Sequence, residues 1–247
     1  MQVDELPVFL LKLLQPEGDP ARQRAREFLY WLRRLRGDFK NIQWIAAGSI
    51  GLDAVVERYR LTDAVNDLFI FHLHAYDDAT ADRFLEALAN SYSLALPCEV
   101  RTHIIERVGW PIPYHLQLLY SGLRDHCDGQ PTATRKDVDA VIANLLQPTH
   151  SSYFDTWRQR LLDELGKPDS DYALGLLNAA CQDPDGVSRD TLALWLGGKI
   201  NDPETKDEKL RYLLNVLIGD GYLIEAAGRY RFRSFLLREY WRRRVAP

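Results

Sequence analysis

Two carboxylates stand side by side at Asp4 and Glu5, directly after Val3 and directly before Leu6-Pro7. Such a pair carries the negative charge needed to hold a divalent cation and orient a water. It also suits the first turn of a helix, where negative charge meets the positive end of the macrodipole, and on these two residues alone that is the commoner arrangement. Further along, Gly48-Ser49 closes an apolar run. Gly109-Trp110-Pro111-Ile112-Pro113-Tyr114 forms a Gly/Pro turn ahead of the amphipathic His115-Leu116-Gln117-Leu118-Leu119. By itself a turn of this composition is usually only a junction between helices.

The basic and the metal-ligating residue types are distributed unevenly. Arg58 and Arg60 follow the first apolar run, and Arg229, Arg231, Arg233, Arg238, Arg242, Arg243 and Arg244 gather in the last twenty residues, with Glu239 as the one acid among them. A basic tail of this kind either meets nucleic-acid phosphates or forms a solvated or partner-facing surface, and the second is favoured. His72, His74 and His115 lie in apolar segments and read as packed or hydrogen-bonded core residues. No His/Cys/Asp spacing matches a metal site. Cys98, Cys127 and Cys181 are far apart and unpaired in spacing, which fits free thiols in a reducing compartment and so a cytoplasmic protein.

The elements that must position these residues are mainly helical. Asp19-Pro20 starts a helix whose Phe28, Leu29, Leu32 and Leu35 share a face until Gly37. The runs Ile42 to Ala47 and Leu68 to Leu73 read as buried strands, with Leu52 to Tyr59 helical between them. Residues 1–75 therefore alternate strand and helix, as a parallel sheet with crossover helices does. After Tyr76 the strands stop. Thr80 to Asn90, Pro97 to Val108, Pro113 to His126 and Thr134 to Leu146 carry apolar residues at helical spacing, and Thr134 with Asp137 resembles a capping box. Ser151 to Leu165 is a connecting helix. Helices at Tyr172 to Cys181, after Ser188, and at Thr205 to Gly219 then precede two strand-like pieces, Tyr222 to Glu225 and Arg229 to Arg233, joined by Ala226-Ala227-Gly228. Three helices and a hairpin is the order of a winged helix.

Composition sets the outer limits. The chain has 247 residues, of which 46% are hydrophobic and 27% charged, so it can bury a substantial core. Its formal charge of -4 argues against a surface built as a whole for nucleic acid. Neither a signal peptide nor an apolar run of the ~20 residues that span a bilayer is present, and no membrane role is indicated.

Taken together, the order of these pieces resembles P-loop ATPases of the AAA+/STAND type that carry a C-terminal winged helix. Val3-Asp4-Glu5-Leu6-Pro7 is similar to a Walker B motif, Gly48-Ser49 to the end of the strand bearing the sensor residue, and Gly109-Trp110-Pro111 to the Gly-x-Pro turn of the lid. Tyr230 to Tyr240 resembles the wing strand and closing helix. The resemblance implies an α/β fragment, the C-terminal part of a parallel-sheet P-loop ATPase core, followed by an α-helical lid bundle and a winged-helix domain, mostly α overall. The implied boundaries are 1–75, 76–148 and 149–247.

Site residues follow from the same resemblance. Asp4 would hold Mg²⁺, Glu5 would orient the attacking water, and Ser49 would face the γ-phosphate. Pro111 would pack on adenine, in the nucleotide-binding turn that Gly109 opens, and Arg60, with Arg58, would stand near the finger position that reaches a neighbour's nucleotide. The family pattern also has Gly-x-x-x-x-Gly-Lys-Ser/Thr one to two strands before Walker B, and a longer apolar strand leading into Asp4. Neither occurs in this sequence. The expected function is therefore the C-terminal portion of a nucleotide-dependent ATPase switch, a fragment or a degenerate copy. It would use ATP and Mg²⁺ only when the N-terminal segment is supplied, and alone it would be inactive and inclined to associate with its own copies. The alternative is a non-enzymatic winged-helix module that binds DNA or a protein partner.

Overall fold

A computed structural model describes residues 1–14, 18–48, 51–71, 73–147 and 152–246. The chain is mostly helical and divides into two compact units, one of residues 1–71, 161–173 and 190–223, the other of residues 72–160, 174–189 and 224–247.

In the first unit, strand β1 (Gln2–Val3) leads into helix α1 (Leu6–Leu14) and helix α2 (Asp19–Asp38). Strand β2 (Ile45–Ala46), helix α3 (Leu52–Arg58) and a 3₁₀ turn at Thr62–Ala64 follow. Leu6, Leu10 and Leu14 recur every fourth residue along α1, and Ala25, Leu29 and Leu32 recur at spacings of four and three along α2. These faces close with Val55, Val56, Leu61 and Ala64 into one buried core. β1 pairs parallel with β2, Gln2 opposite Ile45 and Val3 opposite Ala46. Two parallel strands joined through helices form a crossover unit, as the alternation of residues 1–75 predicts.

The sheet is much smaller than the apolar runs suggest. Only Ile45–Ala46 of the first run is strand, and Ile42 and Ile45 are exposed rather than buried. The run Leu68 to Leu73, expected to be a second buried strand beside it, forms no strand among its described residues, and Phe69, Ile70, Phe71 and Leu73 are all exposed. The parallel partner of β2 is β1 instead. A strand needs a neighbour for its backbone groups and cover for its faces, and two residues of β1 and two of β2 supply neither to a third strand. The short helix α1 was not separated from the strand end by its apolar pattern, since Val8, Phe9, Leu10 and Leu11 are continuous in apolar character.

In the second unit, helices α4 (Asp78–Tyr92), α5 (Cys98–Val108), α6 (Pro113–His126) and α7 (Arg135–Leu145) match the four expected segments closely. Val100, Ile104 and Val108 on α5 are buried, as are Leu116, Leu119 and Leu123 on α6 and Val138, Val141, Ile142 and Leu145 on α7. Thr134 caps α7, and the Asp137 carboxylate accepts the Thr134 backbone N–H in return at 2.8 Å, so the capping box is formed.

Helices α8 (Ser152–Leu165), α9 (Asp169–Ala180), α10 (Arg189–Gly197) and α11 (Pro203–Gly219) follow, with strand β3 (Val187–Ser188) before α10. Strands β4 (Leu223–Ala226) and β5 (Arg229–Phe232) form a hairpin in a three-stranded sheet of order β3-β5-β4. Ala227 and Gly228, both at positive φ, make its two-residue turn. Along β5, Tyr230 and Phe232 are buried while Arg229 is exposed and Arg231 half-buried, the alternation of a half-buried strand. Helix α12 (Phe235–Arg244) ends the chain, with Trp241 fully buried and its indole N–H donating to Asn178 Oδ1 at 2.9 Å. Among the described residues no helix is long and apolar enough to cross a membrane. All three cysteines are free thiols.

Candidate functional site

The chain turns sharply where β1 ends. Glu5 has φ +52, a left-handed conformation that costs a residue with a Cβ of order 1 kcal/mol and that tends to occur at functional sites. The strained turn is held from both sides. Asp4 Oδ1 accepts the Glu5 backbone N–H at 2.9 Å, and the Leu6 N–H donates to the Ala47 carbonyl at 3.1 Å. Ala47 N–H in turn donates to the Val3 carbonyl at 2.8 Å. Asp4 and Glu5 thus sit at the C-terminal end of β1, hydrogen-bonded next to the C-terminal end of β2, where Ala47 and Gly48 lie. Both carboxylate residues are exposed. Ser49 lies outside the described residues.

This edge is where open parallel sheets bind ligands. Among the described residues no three His, Cys, Asp or Glu side chains gather as a metal cage. A Mg²⁺ ion bound along with phosphates needs only one or two protein carboxylates and keeps several waters. An exposed Asp4 with Glu5 beside it fits that donor set.

Arg58 and Arg60 separate in their roles. Arg60 is exposed at φ +54, and its carbonyl accepts from Arg26 at 2.7 Å. Arg58 is drawn inward. Its Nη2 lies 2.7 Å from Asp169 Oδ2, its Nη1 donates to the Tyr212 hydroxyl at 2.6 Å, and its guanidinium stands over the Tyr212 ring at 4.6 Å. Lys209 Nζ completes the group at 2.7 Å from Asp169 Oδ1. Asp169 is 2% exposed, and its buried charge is met by two partly exposed cations. Burial raises the Tyr212 hydroxyl to about 12, with Arg58 opposing the shift. No sequence signal ties Arg58 to Asp169, Lys209 and Tyr212, which come from helices far apart in the chain.

Gly109 and Pro111 belong to the second unit. Gly109 ends α5 at φ +68, its N–H donates to the Ile105 carbonyl at 3.0 Å, and a Cβ there would meet the Phe235 ring at 2.5 Å. Its glycine is explained by this packing. The Pro111 carbonyl accepts the Tyr76 N–H at 3.2 Å. Around the turn, Trp110 stands edge-on to Trp157 and to His115 at 6.1 Å each, and Arg233 lies over the Trp110 ring at 5.4 Å. His115 is fully buried, and that burial pushes its pKa down to about 4, only partly opposed by the Trp110 backbone. His115 is thus a packed residue, as expected. His74 is exposed and is no core residue; the chain there lies outside any helix or strand. His72 lies outside the described residues.

The basic tail is largely engaged within its own unit. Glu239 receives Arg238 at 2.9 Å, Arg242 at 3.0 Å and Arg243 at 3.4 Å, and Arg229 pairs with Asp183 at 2.9 Å. Arg244 donates to the Leu146 carbonyl at 3.3 Å.

No family model matches the chain. No curated protein matches it either. Among solved structures it is similar to a Walker-type ATPase of Pyrococcus abyssi, at 14% sequence identity with a TM-score of 0.61. The similarity covers 98% of this chain but 62% of that one, so the chain spans less than two thirds of the ATPase's length. At this identity the likeness is one of fold alone: nearly the whole chain is arranged as the matching part of that structure is.

Proposed function

From that shared fold we propose that the chain is the C-terminal portion of a nucleotide-dependent ATPase switch of the AAA+/STAND type. In this reading residues 1–75 are the partial core, 76–148 the lid and 149–247 the connecting helix and winged helix. Asp4 holds Mg²⁺ and Glu5 orients the attacking water, while Ser49 meets the γ-phosphate and Pro111 meets adenine in the turn that Gly109 opens. Arg60, the exposed arginine of its pair, is the one left to reach a neighbour's nucleotide.

The observation that carries the proposal is the strained Asp4-Glu5 turn at the C-terminal end of β1, bonded directly to the C-terminal end of the parallel strand β2. A bound Mg²⁺ would neutralise charge developing on the phosphoryl oxygens. Asp4 and Glu5 act only on a γ-phosphate already in position, and that positioning is most of the catalysis in P-loop enzymes. Purified chain, titrated with a fluorescent ATP analogue in Mg²⁺ and assayed for phosphate release, is expected to show neither micromolar binding nor turnover. With a Gly-x-x-x-x-Gly-Lys-Ser/Thr segment supplied, both are expected, with hydrolysis lost on Glu5→Gln and Mg²⁺-dependent binding weakened on Asp4→Ala. Binding that is indifferent to both substitutions overturns the assignment.

The three-stranded sheet with its basic hairpin supports a second reading, a winged-helix module that holds DNA or a protein. Binding through phosphates would weaken steeply with salt, and removal of Arg231, Arg233 and Arg242 together would weaken it for all sequences alike. Since Arg242 is paired with Glu239 and Arg233 lies on Trp110, the protein partner is favoured.

A further inference from the structure

Helix α2 of the first unit presents three different sides. Ala25, Leu29 and Leu32 lie in the core. On a second side every arginine is paired: Arg22 with Asp19, Arg26 with Asp63, and Arg33 and Arg36 with Asp67. The third side carries Phe28, Trp31 and Leu35, recurring at spacings of three and four, with Arg24 one turn before them. Phe9 of α1 meets this side. The Phe9 and Phe28 rings stand 4.9 Å apart, and the Phe28 and Trp31 rings 5.8 Å. Leu13 and Phe28 rest on the core below, while Phe9 stays 45% exposed and Trp31 52%. Two helices thus share one aromatic face whose outer rings remain in water, and contiguous apolar surface of that kind marks a binding site.

The rim of the face is positive. Lys12, Arg24 and Arg34 are exposed, each three or four residues from one of the rings, and among the described residues none of them has an ion pair. Glu27 lies between Arg24 and Arg34 on the same side of α2 and accepts from Gln23 at 2.9 Å. We infer that this face docks an amphipathic helix of a partner protein, whose apolar stripe covers Phe9, Phe28 and Trp31 and whose acidic flanks meet Lys12, Arg24 and Arg34. The inference does not depend on the ATPase reading. Other occupants fit less well. A second copy would bring the same positive rim across a two-fold axis and set like charges together. An anionic membrane suits the cations but not Glu27, and the other sides of α2 are committed to the core and to ion pairs, so no broad apolar side is left to lie in lipid. A single-stranded nucleic acid stacks on open flat rings, whereas Phe28 is tilted against both neighbours, at 58° and 37°.

The test selects peptides from a phage-displayed library of random helical sequences on the full chain, with counter-selection on the Trp31→Ser variant. Recovered peptides are then labelled and titrated by fluorescence anisotropy. They should carry apolar residues at i, i+3 or i+4, and i+7 with a net negative charge, and should bind with dissociation constants of order 10 μM or below. Trp31→Ser should weaken binding at least about thirtyfold. Arg24→Glu with Arg34→Glu should weaken it about tenfold, and raising the salt from ~0.05 to ~0.5 M should weaken it several-fold. Both arginines are exposed and outside the core, so this second variant keeps its helices, which the far-UV signal checks.

Recovery of no Trp31-dependent peptide overturns the inference, as does recovery of peptides with basic flanks or of acidic ones indifferent to the arginine reversal. Trp31-dependent binding of a fluorescent oligothymidylate, or of vesicles of phosphatidylserine and phosphatidylcholine, that is tighter than that of every recovered peptide assigns the face to nucleic acid or to membrane and overturns the choice of occupant. Dimerisation of the chain at micromolar concentration that is lost on Trp31→Ser assigns it to a second copy and overturns that choice as well.

Discussion

At the scale of single residues, three side chains have consequences that can be measured. Asp169 is a buried carboxylate between the partly exposed Arg58 and Lys209, so Asp169→Asn leaves two cations facing a neutral group. The cost is expected to be about 3 kcal/mol of stability by urea denaturation, and Arg58→Met should cost less in the Asp169→Asn background than in the native chain. His115 adds a pH dependence of definite sign. Its folded pKa of about 4 lies below the ordinary 6.5, so the unfolded chain takes up the proton first. The stabilisation is complete above pH 6.5 and is lost as pH falls toward 4. Between pH 7.5 and pH 5 the loss should be about 2 kcal/mol, and His115→Phe should flatten that part of the profile. Gly109→Ala places a methyl group at positive φ and against the Phe235 ring, and should cost about 1–3 kcal/mol.

At the scale of elements, local rules account for most of what forms. The Thr134–Asp137 box begins α7, and Thr134→Ala is expected to lower the stability of the bundle by about 1 kcal/mol. The hairpin between β4 and β5 turns on Ala227 and Gly228 with φ +51 and +73. Alanine bears a steric cost there that asparagine does not, so Ala227→Asn should raise the thermal midpoint, by an amount equivalent to about 0.5–1 kcal/mol. Each of these elements was legible because its signal lies within a few residues: a cap, a helical apolar face, or a Gly-bearing two-residue turn between alternating strands. The two short strands of the first unit were legible only in direction and order. Their lengths depend on neighbours, and the apolar composition of Ile42 to Ala47 does not report whether a neighbour is present.

At the scale of the whole molecule, the balance of exposed and buried apolar surface differs between regions. The helical bundle buries its faces, while Phe69, Ile70, Phe71, Ile42 and Ile45 remain on the surface. The native chain, dilute and at neutral pH, is therefore expected to bind an apolar dye such as anilinonaphthalene sulfonate, and the Phe69→Asp, Phe71→Asp variant should bind it at least about twofold less. Equal dye fluorescence in the two would place the exposed apolar surface elsewhere. The arginine-rich end of the chain behaves differently from its composition. Three arginines converge on the single charge of Glu239, so they are tied into one cluster that stays positive overall.

The sequence by itself determined the helices α4 to α7 to within about two residues at each end, the order of helices and hairpin near the C-terminus, and the position of Asp4-Glu5 at a strand end. All of these rest on periodicity, capping and turn chemistry, which act over one to four residues. Only the tertiary structure decided that β1 pairs with β2, that Glu5 takes a left-handed backbone, and that Arg58 is committed to Asp169 while Arg60 is not. The reason is physical. A strand or a buried ion pair is made by partners distant along the chain, and a residue type carries no record of which distant partner will satisfy it.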